Sequence, residues 1–219
     1  MIKNVIFDLD GTLLDTKEGV LESAKYAAKQ MGYKELPYDT LLTFVGPPIQ
    51  NSFIKHYGCD VETAQKAANI FREYYKTEAL LLAEPYEGIY DLCRLLQEHN
   101  VRMSVATYKR EDYALTLLKH FSFDKYCDSM HGADNNNILK KEDIIHLCQK
   151  EMGATKENSV LIGDSDNDAK GALNAGTPFI AVTYGFGFKT EEDVSIYPHI
   201  GVAKTPIEVA DIILRENVQ

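Results

Sequence analysis

Apolar residues along this chain gather in short unbroken runs rather than in alternating patterns. Val5-Ile6-Phe7, Val101 to Ala106, Val160-Leu161-Ile162 and Phe179-Ile180-Ala181-Val182 are the clearest. A strand covered on one face alternates apolar and polar residues, whereas a strand covered on both faces does not. These four therefore read as central strands of a parallel sheet. Between them the apolar spacing changes to that of helices. Ile89, Leu92, Leu95 and Leu96 share one face, as do Ala114, Leu117 and Leu118, and likewise Ile144, Ile145, Cys148 and Met152. Thr205-Pro206 has the form of an N-cap followed by proline at the first helical position, opening a last helix through Leu214. Such alternation predicts a doubly wound, Rossmann-like α/β sheet.

Residues 16–86 interrupt the alternation. Val20, Ala24, Ala27, Ala28 and Met31 mark one amphipathic helix; Val61, Ala64, Ala68, Phe71 and Tyr75 mark another, with Asp60 as its cap. Gly46-Pro47-Pro48 is a stiff turn that starts a short helix carrying Ile49 and Phe53. No strand is expected here. The prediction is a core of residues 1–15 and 87–219 with an all-helical insert of residues 16–86, hinged near Asp15–Lys17 and Glu84–Gly88. The bland alternative is an extended crossover packed on the sheet. Asn135-Asn136-Asn137 reads as a polar loop.

Composition narrows the function classes. The 219 residues are 45% hydrophobic and 26% charged, long enough and apolar enough to bury a core. The net charge is −10, with 33 acidic against 23 basic residues, and no basic run stands out. A nucleic-acid polymer is therefore not an expected partner. A small anionic substrate remains open, because a bound cation reverses the local potential. Cys59, Cys93, Cys127 and Cys148 are widely spaced without a C-x-x-C pair, which argues for reduced thiols and against a zinc site. The first strand begins almost at the N-terminus, leaving no room for a signal peptide, and no apolar run approaches the roughly 18–20 residues that cross a bilayer. A soluble cytoplasmic protein with no membrane partner is expected; monomer and homodimer both stay open.

Polar groups cluster where the strands end. Asp8-Leu9-Asp10-Gly11-Thr12 follows the first run, and Thr107 with Lys109 follows the second. Lys140 and Lys141 open a helix, and Gly163-Asp164-Ser165-Asp166-Asn167-Asp168 follows Val160-Leu161-Ile162. Ligands of open α/β sheets bind beyond the carboxyl ends of the strands, so all four sets can meet in one crevice. Taken singly each has a plain reading: an Asp-Gly turn, a β-favouring Thr107, a surface Lys109, an Asp166 that caps a helix. Phosphate unites them chemically. A phosphate monoester repels nucleophiles by its own charge, so a carboxylate attacks it only where cations offset that charge.

In this order the four segments resemble the motifs of the haloacid dehalogenase-like hydrolase superfamily, and the helical insert resembles that superfamily's cap. Within the insert, Phe44-Val45-Gly46-Pro47-Pro48-Ile49-Gln50-Asn51-Ser52-Phe53 is similar to a phosphoglycolate phosphatase-like or 5′-nucleotidase-like branch. The resemblance implies Asp8 as nucleophile, forming an aspartyl-phosphate, and Asp10 as the acid and base that protonates the leaving alkoxide and then activates water. Asp8, Asp164 and the backbone carbonyl of Asp10 would hold a divalent cation, and an all-oxygen set favours Mg²⁺. Asp168 is implied to act behind these ligands, through a metal water or by orienting the site. Thr107 and a lysine would grip the phosphoryl group. Lys141 fits the motif through Lys141-Glu142-Asp143-Ile144-Ile145, with Lys140 as the alternative and Lys109 as a further pocket residue.

Gln50, Asn51, Lys55 and His56 are candidates to touch the leaving group from the insert, although a lone helical His is more often packed or solvated. Tyr184-Gly185-Phe186-Gly187 reads as packing and turn structure. The expected activity is Mg²⁺-dependent hydrolysis of a small phosphorylated metabolite, with the cap closing over it. Alternatives are a 5′-nucleotidase, a β-phosphoglucomutase-like mutase, a receiver-like phosphoacceptor switch and a decayed site. A dehalogenase would leave Asp10 without purpose.

Overall fold

The computed structural model describes residues 1–134 and 138–218; the loop expected at Asn135-Asn136-Asn137 lies outside them. The chain divides into two compact units, Met1–Leu14 with Pro85–Gln219, and Asp15–Glu84. The strands are β1 (Asn4–Phe7), β2 (Leu14–Asp15), β3 (Glu84–Pro85), β4 (Arg102–Arg110), β5 (Cys127–Ala133), β6 (Ser159–Gly163), β7 (Phe179–Val182) and β8 (Gly201–Ala203). The helices are α1 (Lys17–Gln30), α2 (Tyr38–Leu42), α3 (Ile49–Tyr57), α4 (Val61–Tyr74) and α5 (Ile89–Glu98). They continue with α6 (Glu111–His120), α7 (Lys141–Met152), α8 (Asp166–Ala175), α9 (Glu191–Val194) and α10 (Pro206–Val218).

Six strands form one parallel sheet in the order β5-β4-β1-β6-β7-β8. The four apolar runs are its central members, as the lack of alternation predicts. Ile6, Leu161 and Phe179 lie in register across β1, β6 and β7. They share a core with Ile144, Ile145 and Cys148 of α7 and with Ala169 and Ala172 of α8. Val5, Phe7, Val160 and Ile162, which point to the other face, are equally buried, and α5 packs against α10. Covered on both faces, each such side chain contributes about 1.5–3 kcal/mol of burial free energy.

The differences from the sequence reading fall at edges. β5 and β8 are edge strands; β5 mixes buried and exposed residues and so shows no apolar run to announce it. β4 runs on past Ala106 to Arg110 with an irregular register against β5, so Thr107 and Lys109 sit within a strand rather than after one. Glu84–Pro85 is a two-residue strand paired with β2, in a stretch read as purely helical.

The second unit holds α1 to α4 followed by a π-helical turn at Tyr75–Ala79. Asp60 caps α4, accepting from the Thr63 N–H at 2.7 Å. Val61, assigned to the buried face of that helix, is 75% exposed, because a first-turn residue projects beyond the packed stripe. Aromatic pairs fasten the unit internally: Phe44 meets Phe53 edge-on at 5.4 Å, and Tyr26 stacks on Tyr74 at 4.2 Å. Among the described residues no helix is long and apolar enough to cross a membrane, and all four cysteines are free.

Candidate active site

Register brings the polar strand ends together. Phe7 pairs with Val105 of β4 and with Ile162 of β6, so the residues that follow leave neighbouring strands at one edge of the sheet. The Asp8 N–H still donates to the Ile162 carbonyl at 2.8 Å, which fixes the first carboxylate at the end of the ladder. Gly11 then turns the chain with a φ of +82°, a left-handed conformation natural to glycine. A side chain there would overlap the Asp164 carboxylate, so the turn and Asp164 are pressed together.

Lys141, the first residue of α7, is 1% exposed and bridges two acids. Its Nζ lies 2.6 Å from Asp8 Oδ1 and 2.7 Å from Asp168 Oδ1. The Lys141 backbone N–H donates to the Tyr108 hydroxyl at 2.9 Å, tying the helix start to β4. Lys140 is exposed, and its N–H donates to the Asp143 carboxylate at 2.9 Å. The buried cation is thus Lys141, and Lys140 belongs to the helix cap.

Asp168 has a second partner set. Its Oδ2 accepts the Ser165 hydroxyl at 2.6 Å and the Ser165 N–H at 3.1 Å, closing the N-terminus of α8. Ser165 is therefore the capping residue. Asp166, expected in that role, is the first helical residue and pairs on the surface with Lys170 at 2.6 Å.

Asp10 and Lys109 form a separate pair. Lys109 Nζ lies 2.9 Å from one Asp10 oxygen and 3.1 Å from the other. Thr107 is buried beside them, its hydroxyl accepting the Lys109 N–H at 3.1 Å. Asp164 is held from another direction: its Oδ2 accepts the Phe186 N–H at 2.6 Å and the Gly187 N–H at 3.0 Å. Tyr184-Gly185-Phe186-Gly187, read from the sequence as turn structure, is in direct contact with the site. Its signal in the sequence is a pair of glycines, Gly185 and Gly187, a few residues after a buried strand.

The electrostatics follow from burial. Desolvation pushes the Asp8 carboxyl up to about 7; Lys141 opposes this, and Asp168 adds to it. Desolvation likewise pushes Asp164 up to about 7, with Asp168 adding to the shift and the Gly187 and Phe186 N–H groups opposing it. Burial disfavours the Lys141 ammonium, but the charges of Asp168 and Asp8 outweigh it and raise its pKa.

One carboxylate oxygen from each of Asp8, Asp164 and Asp168 lies within 4.8 Å of the others. The oxygens of Asp168 are engaged by Lys141 and Ser165. Among the described residues no donor reaches Asp8 Oδ2 or Asp164 Oδ1. Two buried acids, each with an oxygen left over, fit a hard divalent cation that takes oxygen ligands. The carboxylate of Asp10 is not in this cluster, which is compatible with a ligand role only for its backbone carbonyl.

The insert residues show internal roles. The His56 ring lies 2.8 Å from the Thr43 hydroxyl and stacks on Phe44 at 5.4 Å, and burial lowers its pKa. Gln50 donates to Gln65 at 3.2 Å, while Asn51 and Lys55 are exposed.

Known proteins resemble this chain in sequence and in fold. The sequence profile described as haloacid dehalogenase-like hydrolase matches residues 5–182. A 5′-nucleotidase of Pseudomonas aeruginosa is 35% identical over 190 residues, covering 86% of each chain. A phosphoglycolate phosphatase of Agrobacterium fabrum is 31% identical over 189 residues, covering 83% of this chain and 80% of the other. A crystal structure described as a predicted phosphatase from Clostridium acetobutylicum superposes with a TM-score of 0.89 at 32% identity, covering 98% of this chain and 99% of that one.

Proposed function

Because the chain belongs to the haloacid dehalogenase-like hydrolase family, we propose that it is a phosphatase that hydrolyses a small phosphorylated metabolite through an aspartyl-phosphate on Asp8. The observation that carries this reading is Lys141, a buried ammonium shared by Asp8 and Asp168 next to Asp164. A buried charge cluster of this kind is costly to maintain for stability alone. It suits a site that receives a phosphoryl group.

In this reading an Asp8 oxygen forms a bond to phosphorus while the ester P–O bond breaks. Asp10 gives its proton to the departing alkoxide, which is otherwise a poor leaving group near neutral pH. Water then attacks the phosphorus of the intermediate, with Asp10 taking its proton, and the Asp8 carboxylate is released with inorganic phosphate. Lys141 and the Thr107 hydroxyl hold phosphoryl oxygens, and Asp168 keeps Lys141 directed at Asp8. Mg²⁺ would be held by Asp8, Asp164 and the Asp10 backbone carbonyl, and the chemistry it supplies when bound is neutralisation of phosphoryl charge.

The substrate is a soluble phosphate monoester rather than a nucleic-acid polymer, in keeping with the net charge of −10. The relatives' names favour phosphoglycolate or a nucleoside 5′-monophosphate as the first compounds to test. Four free thiols, three of them buried, suit the reducing cytoplasm. The test is phosphate release from a panel of phosphorylated metabolites with Mg²⁺ and with EDTA, including a β-glucose 1-phosphate isomerisation assay. Mg²⁺-dependent release from one or a few monoesters supports the reading; isomerisation without release makes the protein a mutase instead.

A further inference from the structure

Asp164 is gripped along its whole length by one loop. Its carboxylate Oδ2 accepts from the Phe186 and Gly187 N–H groups, and its backbone carbonyl accepts the Phe188 N–H at 2.7 Å. The loop is itself anchored at three points. The Tyr184 hydroxyl donates to the Thr12 carbonyl at 3.1 Å, the Lys189 ammonium holds the Gly185 carbonyl, and the buried Phe188 ring packs near Tyr197 at 5.8 Å. The chain thus joins two parts of the site that are far apart in sequence, the turn after β1 and the end of β6.

Gly185 sits at the tightest point. A Cβ placed there would overlap the Gly11 carbonyl oxygen together with the Oδ2 and Cβ atoms of Asp164. Every one of those atoms belongs to the candidate site. The missing side chain therefore lets the loop close on Asp164 from one side while Gly11 closes from the other.

The geometry has a chemical consequence. Two N–H donors occupy Oδ2, so the carboxylate plane is fixed and Oδ1 alone is offered to a ligand. A ligand oxygen held in this way loses little conformational freedom on binding. We propose that Tyr184–Phe188 is the positioning element of the cation site, with Gly185 required so that Asp164 presents Oδ1 beside Asp8. The inference rests on the reading that Asp8 and Asp164 bind a divalent cation.

The test is calorimetric titration of the substrate-free protein with Mg²⁺, for wild type, Gly185→Ala and Tyr184→Phe. Gly185→Ala is expected to weaken Mg²⁺ binding about 10–100-fold, the usual effect of disturbing a residue behind a metal ligand. Tyr184→Phe removes only the tie to Thr12 and keeps the ring, and a loss of about 10-fold, the low end of that range, is expected. Turnover by Gly185→Ala is expected to recover as Mg²⁺ is raised while its circular dichroism stays the same at low and high Mg²⁺; a spectrum that changes with Mg²⁺ would trace the rescue to folding instead.

Wild-type affinity in the folded Gly185→Ala protein overturns the proposal. If that variant does not fold, wild-type affinity in Tyr184→Phe overturns it. Absence of Mg²⁺ binding by the wild type removes the cation reading and this proposal together, an outcome distinct from either.

Discussion

The Lys109 ammonium straddles both oxygens of Asp10, at 2.9 and 3.1 Å, and both side chains are largely buried. The residue assigned to move protons is thus held in place by a cation from the neighbouring strand. Lys109→Met is expected to reduce kcat about 10–100-fold for alkyl phosphates, part of the 10²–10⁴-fold typical of a general acid. The loss should be smaller for p-nitrophenyl phosphate, whose leaving group needs no proton. Equal losses for both substrates would separate Lys109 from proton transfer.

Lys141 supports stability as well as turnover. Removing it leaves Asp8 and Asp168 buried without their cation, and Lys141→Met is expected to destabilise the protein by about 3–5 kcal/mol in urea unfolding. Adding Asp168→Asn removes one of the stranded charges, so the double variant should be more stable than the sum of the single changes predicts. Additivity would mean that the two residues do not act as a pair. Both variants should be inactive.

Metal-free stability should depend on pH in an unusual direction. Burial in the folded protein pushes the Asp8 and Asp164 carboxyls up to about 7, above the ordinary carboxylate value of 3.8. Between about 4 and 7 the folded state then binds more protons than the unfolded state, so stability falls as pH rises through this window. The stabilisation is present below the unfolded pKa and is lost above the folded one. Mg²⁺ should bind the deprotonated pair and stabilise the protein more at pH 8 than at pH 6. Thermal unfolding at both pH values, with EDTA and with Mg²⁺, checks this; an equal Mg²⁺ effect at the two values would contradict it.

Much of the site was legible because its residues stand beside strong local signals. Asp8, Asp10 and Asp164 follow unbroken apolar runs, and such runs are unambiguous when a strand is buried on both faces. The edge strands β5 and β8 carry no such run and were invisible. The choice between Lys140 and Lys141 needed the helix start to be known to the residue, since a one-residue change turns a side chain by about 100° around a helix. The role of Phe186 and Gly187 was hidden for another reason. They act through backbone N–H groups, which every non-proline residue possesses, so these hydrogen bonds leave no mark on residue type; only Gly187, where a Cβ would overlap the Asp164 carbonyl oxygen, shows the close approach.

The central claim is that Asp8 takes up the phosphoryl group. Asp8→Asn should lower turnover by roughly 10⁴-fold or more while leaving the circular dichroism spectrum unchanged. The most direct measurement is acid quenching of the wild-type enzyme during turnover, followed by borohydride reduction and peptide mass spectrometry. An aspartyl-phosphate is reduced to homoserine, so homoserine is expected at position 8 and nowhere else. An unmodified Asp8 in enzyme quenched at full turnover, with homoserine at another aspartate, would contradict the account.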